Sequence, residues 1–232
     1  AHAGLEDRID QVHKTAVRLA KQAVGNSGVL VAGSIGPTGE MIQPFGNLSE
    51  EQAYDVYRQQ AQALIDNGVD LIVVETQFDL AEAQAAVNAV RSVTADTALV
   101  CSFSYDRGQR TMMGVKSGQM AEIFNDMPVD VLGINCGRSL EDNLMVLKIL
   151  KEKTSKPVWF KPNAGLPEAQ PDGSMKYSVT PQMMADAAQT WLKEGASLVG
   201  GCCGTSPEHV REIARAVKGN LVYNLHQTHL VK

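Results

Sequence analysis

Residues 71–104 read LIVVETQFDLAEAQAAVNAVRSVTADTALVCSFS, and this stretch decides the fold class. It begins and ends with short, almost continuously apolar runs, 71–75 and 98–104, with an amphipathic segment between them. Runs that are apolar throughout, rather than alternating, are typical of parallel strands covered on both faces. Asp79, with Glu82 three residues later, marks the start of the intervening helix. The stretch therefore predicts a β-strand, an α-helix and a second, parallel β-strand.

The same pattern recurs along the chain. Six apolar runs alternate with helical segments, and they span 29–33, 71–75, 98–104, 131–135, 157–161 and 197–201. Ser49 with Gln52, and Thr180 before Pro181, mark further helix starts. A (β/α)₈ barrel of about 250 residues uses about 31 residues for each unit, so this chain has room for an opening helix and six βα units. Composition and periodicity alone fit either such a partial barrel or a doubly wound open sheet.

Composition excludes several classes of protein. Apolar residues make up 44% and charged residues 20% of the 232 residues, which excludes a disordered or collagen-like chain. The longest apolar runs have four residues, as at 71–74, whereas a membrane helix needs about 18. The net charge of −5 and the lack of a basic stripe argue against nucleic acid as a partner. With four cysteines and no export signal, we expect a single soluble domain over 1–232 in the reducing cytoplasm.

Three cysteines come directly after predicted strands. Cys136 lies in GINCG at 133–137, and Cys202 and Cys203 lie in GGCCG at 200–204. Because sites in barrels and parallel sheets are built at the carboxyl ends of strands, we expect all three thiols on one rim. The flanking glycines would let the chain turn, so that both neighbouring cysteines face one ion. Three thiolates with an open fourth position suit a catalytic Zn²⁺.

The cysteines also permit other interpretations. Cysteine is a common small core residue, and the adjacent pair could form a redox-active vicinal disulfide. Cys101 lies inside a predicted strand, and we interpret it as part of the core. His209 falls in the first turn of a predicted helix and is expected to be exposed. The pair His226 and His229 is more typical of a solvated tail than of a metal site.

Other polar residues lie at the same predicted rim. Glu75 ends an apolar strand, where its carboxylate could bind the ammonium group of an amino-acid substrate or form a structural salt bridge. Lys161 has the same two interpretations, and the structural one is favoured. The segment 33–39, GSIGPTG, lacks the lysine of a P-loop and does not fit the dinucleotide-binding pattern. We interpret it as a strand-to-loop turn that lines the rim.

Taken together and in this order, the motifs resemble those of the homocysteine S-methyltransferase family, over about residues 29–217. This family includes the homocysteine-binding module of cobalamin-dependent methionine synthase and betaine-homocysteine methyltransferase. The most specific motifs are GINC at 133–136, PNAGLP at 162–167 and GGCCGTSPEH at 200–209, with support from GSIGPTG at 33–39 and VET at 74–76.

The resemblance implies a (β/α)₈ barrel of the TIM type and a zinc-dependent methyl transfer that converts homocysteine into methionine. Cys136, Cys202 and Cys203 would hold the Zn²⁺, and the sulfur of homocysteine would take the open position. A free thiol is only about 3% ionised at pH 7, and coordination to zinc deprotonates it. The resemblance assigns Glu75 and Asn135 to substrate binding and no catalytic side chain beyond the metal site. The methyl donor would be a methylated corrinoid (methylcobalamin) on a separate protein or domain, or a small onium compound.

The resemblance is incomplete at the N-terminus. Family members begin with a strand bearing an Asp-Gly motif and a second βα unit, and this sequence shows neither. We therefore expect about six of the eight βα units. Either the sequence is a fragment, or a partner chain or a rearranged barrel replaces the two missing units. Assembly into a homo-oligomer stays open. Two other functions stay open: a zinc- and thiol-binding module without turnover, and a methyltransferase acting on another thiol.

Overall fold

A computed structural model describes Gly4 and residues 6–224, with side chains described for residues 7–218. The predicted alternation of strands and helices is confirmed. After a 3₁₀ turn at Glu6–Arg8, the helices are α1 (Ile9–Val24), α2 (Glu50–Asp66), α3 (Leu80–Val93), α4 (Ser117–Phe124), α5 (Leu140–Lys153), α6 (Pro181–Lys193) and α7 (Pro207–Asn224). The strands are β1 (Ala32–Ile35), β2 (Leu71–Gln77), β3 (Ala98–Phe103), β4 (Val131–Cys136), β5 (Val158–Pro162), β6 (Glu168–Ala169), β7 (Met175–Lys176) and β8 (Leu198–Val199).

Six of these strands form one sheet in the order β1-β2-β3-β4-β5-β8, and each is followed in the chain by a helix. The six predicted βα units and the opening helix α1 are thus present. Strands β6 and β7 form a separate antiparallel hairpin in the connection between β5 and α6. The fold class is α/β, as predicted. None of the helices in the described part of the chain is long and apolar enough to cross a membrane.

The chain groups into two compact units. The first comprises Ala1–Phe103 and Gln119–Gly133, and the second comprises Ser104–Gly118 and Ile134–Lys232. A single domain over 1–232 stays a prediction.

Each unit has parallel strand pairs and its own aromatic contact. In the first unit β1 pairs with β2 and β2 with β3, both in parallel, and the rings of Phe103 and Phe124 lie 5.5 Å apart. In the second unit β5 pairs in parallel with β8, and the buried rings of Phe160 and Trp191 lie 5.0 Å apart.

The helices begin at the predicted capping residues. The Ser49 side chain accepts the backbone N–H of Gln52, and the Gln52 side chain accepts the N–H of Ser49, which completes a capping box. Asp79 accepts the N–H of Glu82 at the start of α3. Thr180 caps α6, whose first residue is a proline. Local side-chain chemistry therefore fixes where these helices begin.

Polar residues at the amino ends of the strands tie neighbouring strands together. The Asp70 carboxylate accepts the N–H of Val31 at 2.6 Å, and the Asp70 N–H donates to the Val31 carbonyl at 2.8 Å. Asp130 makes the same pair of bonds with Leu99, and Ser197 does so with the first residue of β5. These hydrogen bonds stabilise the strand pairs at their amino ends. Functional sites in folds of this class are built at the carboxyl ends of the strands.

Strand β1 begins at Ala32 rather than at residue 29 as predicted. The reason is that the Asp70 carboxylate takes the N–H of Val31, while the side chains of Val29 and Leu30 before it are exposed. Strand β8 has only two residues, although the N–H groups of Gly200 and Cys202 after it still donate to carbonyls of β5.

Candidate metal centre

Three cysteines from two distant segments lie together at the carboxyl ends of strands in the second unit. Cys136 is the last residue of β4, and Cys202 and Cys203 follow β8. Their sulfur atoms all lie within 4.8 Å of one another. The Cys136 Sγ lies 3.1 Å from the Cys202 Sγ and 4.0 Å from the Cys203 Sγ. Residues that are 66 and 67 positions apart in the chain thus form one sulfur cluster.

The spacing of the sulfur atoms fits a tetrahedral metal ion. A Zn–S bond of about 2.3 Å at tetrahedral angles puts two thiolate sulfurs about 3.8 Å apart. The two separations from Cys136, 3.1 and 4.0 Å, lie on either side of that value. Cys136 and Cys202 are half-buried and Cys203 is exposed, so the cluster is accessible from one side. The donor set and its exposure suit a zinc site with an open fourth position.

The thiols of the metal-free cluster share their protons unequally. The pKa of Cys202 is lowered, mainly because the Cys136 thiol donates a hydrogen bond to it, with help from the Asn135 amide and the charge of Lys161. The pKa of Cys136 is raised by that same hydrogen bond, by burial and by the negative charge of Cys202. Burial and the Cys202 charge also raise the pKa of Cys203. Binding of a metal ion to all three sulfurs must therefore release protons, so affinity should rise with pH.

The backbone at Cys136 has a conformation that is unusual for a residue with a side chain. Its φ is +58°, in the left-handed region, and Gly137 follows with a φ of +79°. The Cys136 carbonyl accepts the side-chain N–H of Asn143 at 2.7 Å and the backbone N–H of Asn163 at 3.1 Å. A Cβ on Gly137 would collide with the Asn143 amide. Glycine at this position is thus required by both its φ and its surroundings.

A tight turn presents the other two cysteines. The carbonyl of Cys202 accepts the hydroxyl of Thr205 at 2.7 Å and its backbone N–H at 3.3 Å. We expected three flanking glycines to give the chain its freedom here, but of these only Gly204 has a positive φ, +77°. Gly201 is needed for space instead, since an added Cβ would lie 3.0 Å from the Thr205 hydroxyl. Both cysteines can face one ion because β8 ends before them.

Asn163 contacts both cysteine-bearing segments, although no role was predicted for it from the sequence. Its Oδ1 accepts the backbone N–H of Cys203 at 2.9 Å, and its Nδ2 donates to the Gly137 carbonyl at 3.0 Å. The neighbouring Ala164 N–H donates to the Cys203 carbonyl at 2.9 Å. One signal was available in the sequence: this asparagine follows a predicted strand, at the same rim as the cysteines.

The other predicted rim residues have distinct surroundings. Asn135 is buried, and its amide lies 3.5 Å from the Cys136 sulfur and 3.8 Å from the Cys202 sulfur. Glu75, in the first unit, accepts the hydroxyl of Ser34 at 2.7 Å. A role of Asn135 and Glu75 in substrate binding stays a prediction. The ammonium of Lys161 lies 5.2 Å from the ring centroid of Trp159 on the same strand.

His209 is buried, and the prediction of an exposed side chain was wrong. Only 8% of the residue is exposed. Its Nδ1 accepts the backbone N–H of Ser206 at 3.1 Å, and its Nε2 lies 3.0 Å from the Val179 carbonyl, to which it donates in that tautomer. The ring therefore connects the start of α7 to the segment before α6. His226 and His229 lie outside the described residues.

The remaining cysteine predictions have clear outcomes. Cys101 is fully buried in β3, as predicted for a core residue. All four cysteines, each within the described residues, are free thiols, so Cys202 and Cys203 do not form a disulfide here.

Comparison with known proteins agrees with this geometry. The family model described as homocysteine S-methyltransferase matches residues 1–217. The chain is 32% identical over 223 residues to a methionine synthase of Mycobacterium tuberculosis and 34% identical over 192 residues to one of Mycobacterium leprae. These matches cover 92% and 81% of this chain but 18% and 16% of the relatives. The chain thus spans about a sixth of the length of these curated relatives.

Solved structures show the same likeness. The homocysteine methyltransferase MmuM from Escherichia coli in its apo form superposes with a TM-score of 0.73 at 26% identity, over 89% of this chain and 74% of that one. Its metallated form gives 0.72 at 26% identity, over 89% and 70%. A 3-dehydroquinate dehydratase from Geobacillus kaustophilus, 14% identical with a TM-score of 0.52 over 94% and 78% of the two chains, shares the fold alone. The family model matches nearly the whole chain, and the E. coli homocysteine methyltransferase, a TIM barrel, has a similar structure. The chain therefore belongs to the homocysteine S-methyltransferase family.

Proposed function

We propose that this chain transfers a methyl group to the thiolate of homocysteine, giving methionine, at a Zn²⁺ held by Cys136, Cys202 and Cys203. The observation that carries the proposal is the sulfur cluster, in which three thiols from two distant segments lie within 4.8 Å of one another. Family membership supports homocysteine as the methyl acceptor, and the metallated form of the E. coli relative supports a metal at the site.

The protein residues set the charge and the access of this site. When bound, Zn²⁺ would supply the Lewis acidity that keeps the substrate sulfur deprotonated at pH 7. Three cysteine thiolates would give a bound divalent ion a net negative set of ligands, which would keep the substrate sulfur electron-rich. Exposure of Cys203 leaves one side of the cluster open to substrate. The substrate sulfur then forms a bond to the methyl carbon as the donor–carbon bond breaks, and that electron pair leaves with the donor.

The methyl donor is proposed from the relatives. Methionine synthases of two mycobacteria match this chain over a sixth of their length, which leaves room in those proteins for a donor-binding domain. A methylated corrinoid on a separate protein or domain is therefore the donor we propose. The Glu75 carboxylate, at the carboxyl end of β2, is proposed to bind the substrate ammonium.

The first experiment measures zinc in the purified chain under reducing conditions. Cys136→Ala removes one sulfur of the cluster, whereas Cys101→Ala removes a buried cysteine of β3 and is the matched control. We expect one zinc per chain in the wild type and in Cys101→Ala, and loss of zinc in Cys136→Ala. A wild type that binds no zinc, or one that binds it equally well after Cys136→Ala, would contradict the assignment of the site.

The second experiment measures methionine formed from homocysteine. Methylcobalamin and a simple methyl sulfonium salt serve as donors, and the chain is loaded with zinc. We expect turnover in the wild type and in Cys101→Ala but not in Cys136→Ala. Full activity of Cys136→Ala would refute the mechanism. Homocysteine binding without turnover on any donor would favour the binding-module alternative instead.

A further inference from the structure

We propose that Lys161 is a specificity-determining residue, whose ammonium group binds the carboxylate of an amino-acid thiol while the sulfur of that thiol is held at the sulfur cluster. The inference rests on the proposed function and adds to it the group that recognises the acid end of the substrate. Glu75, by contrast, is proposed to bind the ammonium end. Lys161 has no part in the mechanism described above.

Lys161 lies on the face of β5 that points away from helix α6. On the other face, the buried ring of Phe160 packs on the ring of Trp191 in α6 at 5.0 Å. Because the side chains of a strand alternate between its two faces, Trp159 and Lys161 share the opposite face. Both residues are half-buried there and not sealed in the core. A ligand can therefore reach Lys161 from the side opposite α6.

The lysine lies next to the segment that carries two of the thiols. The N–H of Gly200 donates to the Phe160 carbonyl at 3.0 Å, and the N–H of Cys202 donates to the Pro162 carbonyl at 2.9 Å, so the two segments run side by side. The lysine stem passes Gly200, where an added Cβ would lie 3.4 Å from the Lys161 Cγ. The positive charge of Lys161 also helps to lower the pKa of Cys202. The ammonium group thus lies close enough to act on the sulfur cluster.

The ring of Trp159 helps to position the ammonium group. The Nζ of Lys161 lies 5.2 Å from the centroid of this ring. A cation at this distance is attracted by the negative face of an aromatic ring. The ring contributes no acidic group, so this contact leaves the positive charge of the lysine intact. The charge is thereby held at a defined place on the face of β5 that Trp159 and Lys161 share.

The charge of the proposed metal site explains why a cation is useful here. A divalent ion with three thiolate ligands is net negative, and an amino-acid thiol brings a carboxylate together with a sulfur that must ionise. The carboxylate of the substrate is therefore repelled by the ligand set that its sulfur approaches. The ammonium of Lys161 offsets this repulsion and attracts the carboxylate. A thiol that has no acid group lacks this attraction, so Lys161 should select thiols that carry a carboxylate.

The test compares the affinity of the zinc-loaded whole chain for homocysteine and two analogues. The acid analogue, 4-mercaptobutyrate, lacks the amino group, and the amine analogue, 3-aminopropanethiol, lacks the carboxylate. Lys161→Met removes the charge and keeps an unbranched side chain, and Lys193→Met, at an exposed position of α6, is the matched control. In calorimetry, Lys161→Met should bind homocysteine and the acid analogue about tenfold more weakly, because a charge-assisted hydrogen bond is lost. Its affinity for the amine analogue, and all affinities of Lys193→Met, should stay within about twofold of the wild type.

The preference between the two analogues separates recognition from a structural role. A lysine that only packs on Trp159, or only offsets the charge of the thiolates, would change the affinity for both analogues alike. Lys161→Arg keeps the positive charge and should keep the wild-type preference for the acid analogue. Circular dichroism and zinc content establish that each variant is folded and loaded; if Lys161→Met is not, Lys161→Gln carries the test.

Three results would overturn the inference. They are an unchanged affinity of folded, zinc-loaded Lys161→Met for homocysteine, an equal loss of affinity for the acid and the amine analogue, and a preference that Lys161→Arg loses as completely as Lys161→Met does. The wild-type arm tests the proposed function separately. A wild type that binds no zinc or no homocysteine refutes that function and with it the role of Lys161, whereas wild-type binding that Lys161→Met leaves unchanged refutes the role of Lys161 alone.

Discussion

Gly204→Ala should destabilise the protein much more than Gly173→Ala, although both glycines have nearly the same backbone conformation. Their φ angles are +77° and +81°. An added Cβ at position 173 meets nothing within 4 Å, whereas at position 204 it collides with the ring of Tyr177, including a contact of 2.7 Å to Cε1. Gly173→Ala therefore measures the cost of backbone strain alone, whereas Gly204→Ala adds a steric collision next to Cys203, a candidate zinc ligand.

The expected magnitudes follow from these two effects. A left-handed conformation costs an L-residue about 1–2 kcal/mol, which applies equally to both variants. Forcing extra volume against the Tyr177 ring costs a further amount of about 1–3 kcal/mol, which applies only to Gly204→Ala. We therefore expect free energies of unfolding lower by about 1–2 kcal/mol for Gly173→Ala and by about 2–5 kcal/mol for Gly204→Ala.

Urea unfolding of the metal-free protein measures both values, and the double variant Gly204→Ala/Tyr177→Ala tests the cause. Removing the ring removes the collision, so the coupling free energy between the two sites should be about 1–3 kcal/mol. Zinc titration gives a second readout. If the Gly204 turn moves and the Tyr177 ring does not, Cys203 moves with the turn and zinc binding weakens. Each 1.4 kcal/mol lost from the free energy of zinc binding raises the dissociation constant about tenfold.

Equal destabilisation of the two glycine variants, within about 0.5 kcal/mol, would refute this reasoning. So would the lack of any coupling between Gly204 and Tyr177. Either result would mean that the ring does not restrict the cysteine-bearing turn.

Two further predictions concern groups outside the cysteine cluster. The hydrogen bonds from Lys21 and from a backbone N–H hold the pKa of Asp70 below its ordinary value of 3.8. The ionised carboxylate therefore stabilises the fold above pH 3.8, and this stabilisation is lost as the pH falls through the lowered pKa. Asp70→Asn should reduce the pH dependence of the free energy of unfolding between about pH 6 and pH 2, and a pH dependence equal to that of the wild type would contradict this. His209→Ala should lower the free energy of unfolding by about 2–4 kcal/mol, because the N–H of Ser206 and the carbonyl of Val179 lose their hydrogen-bond partner. A loss below about 0.5 kcal/mol, measured by thermal unfolding, would show that the ring does not stabilise the fold.

The sequence predicted the secondary structure well where local chemistry determines it. Ser49, Asp79 and Thr180 cap helices as their spacing indicated, because a cap depends only on residues within one turn. The strands were recognised because a parallel strand buried on both faces is apolar along its length. The boundary of β1 was misplaced, since it depends on the Asp70 carboxylate, 39 residues from the N–H that it accepts.

Residues that act through distant contacts could not be predicted in the same way. His209 sits in the first turn of a helix, where exposure is usual, yet its ring partner Val179 lies 30 residues earlier in the chain. Asn163 belongs to a recognised motif, but its two side-chain partners follow from the tertiary arrangement of two other strand ends. The cysteines were easier to identify because all three follow predicted strands beside glycines, and the carboxyl ends of parallel strands share one rim.

The positions of backbone strain connect the fold with its candidate site. In the described chain two residues other than glycine have a positive φ, Thr76 at +62° and Cys136 at +58°, and both lie at carboxyl ends of strands. The register of β2 also shifts between Val74 and Gln77, so the strand is irregular where it presents Glu75. Each strained residue costs about 1–3 kcal/mol and persists only where its neighbours hold it. Stability alone would favour glycine at positions 76 and 136 and a β2 strand without a register shift. The retained strain thus falls at Cys136 and next to Glu75, residues for which we propose roles in binding metal and substrate. This is expected if ligand binding, and not folding alone, shapes these strand ends.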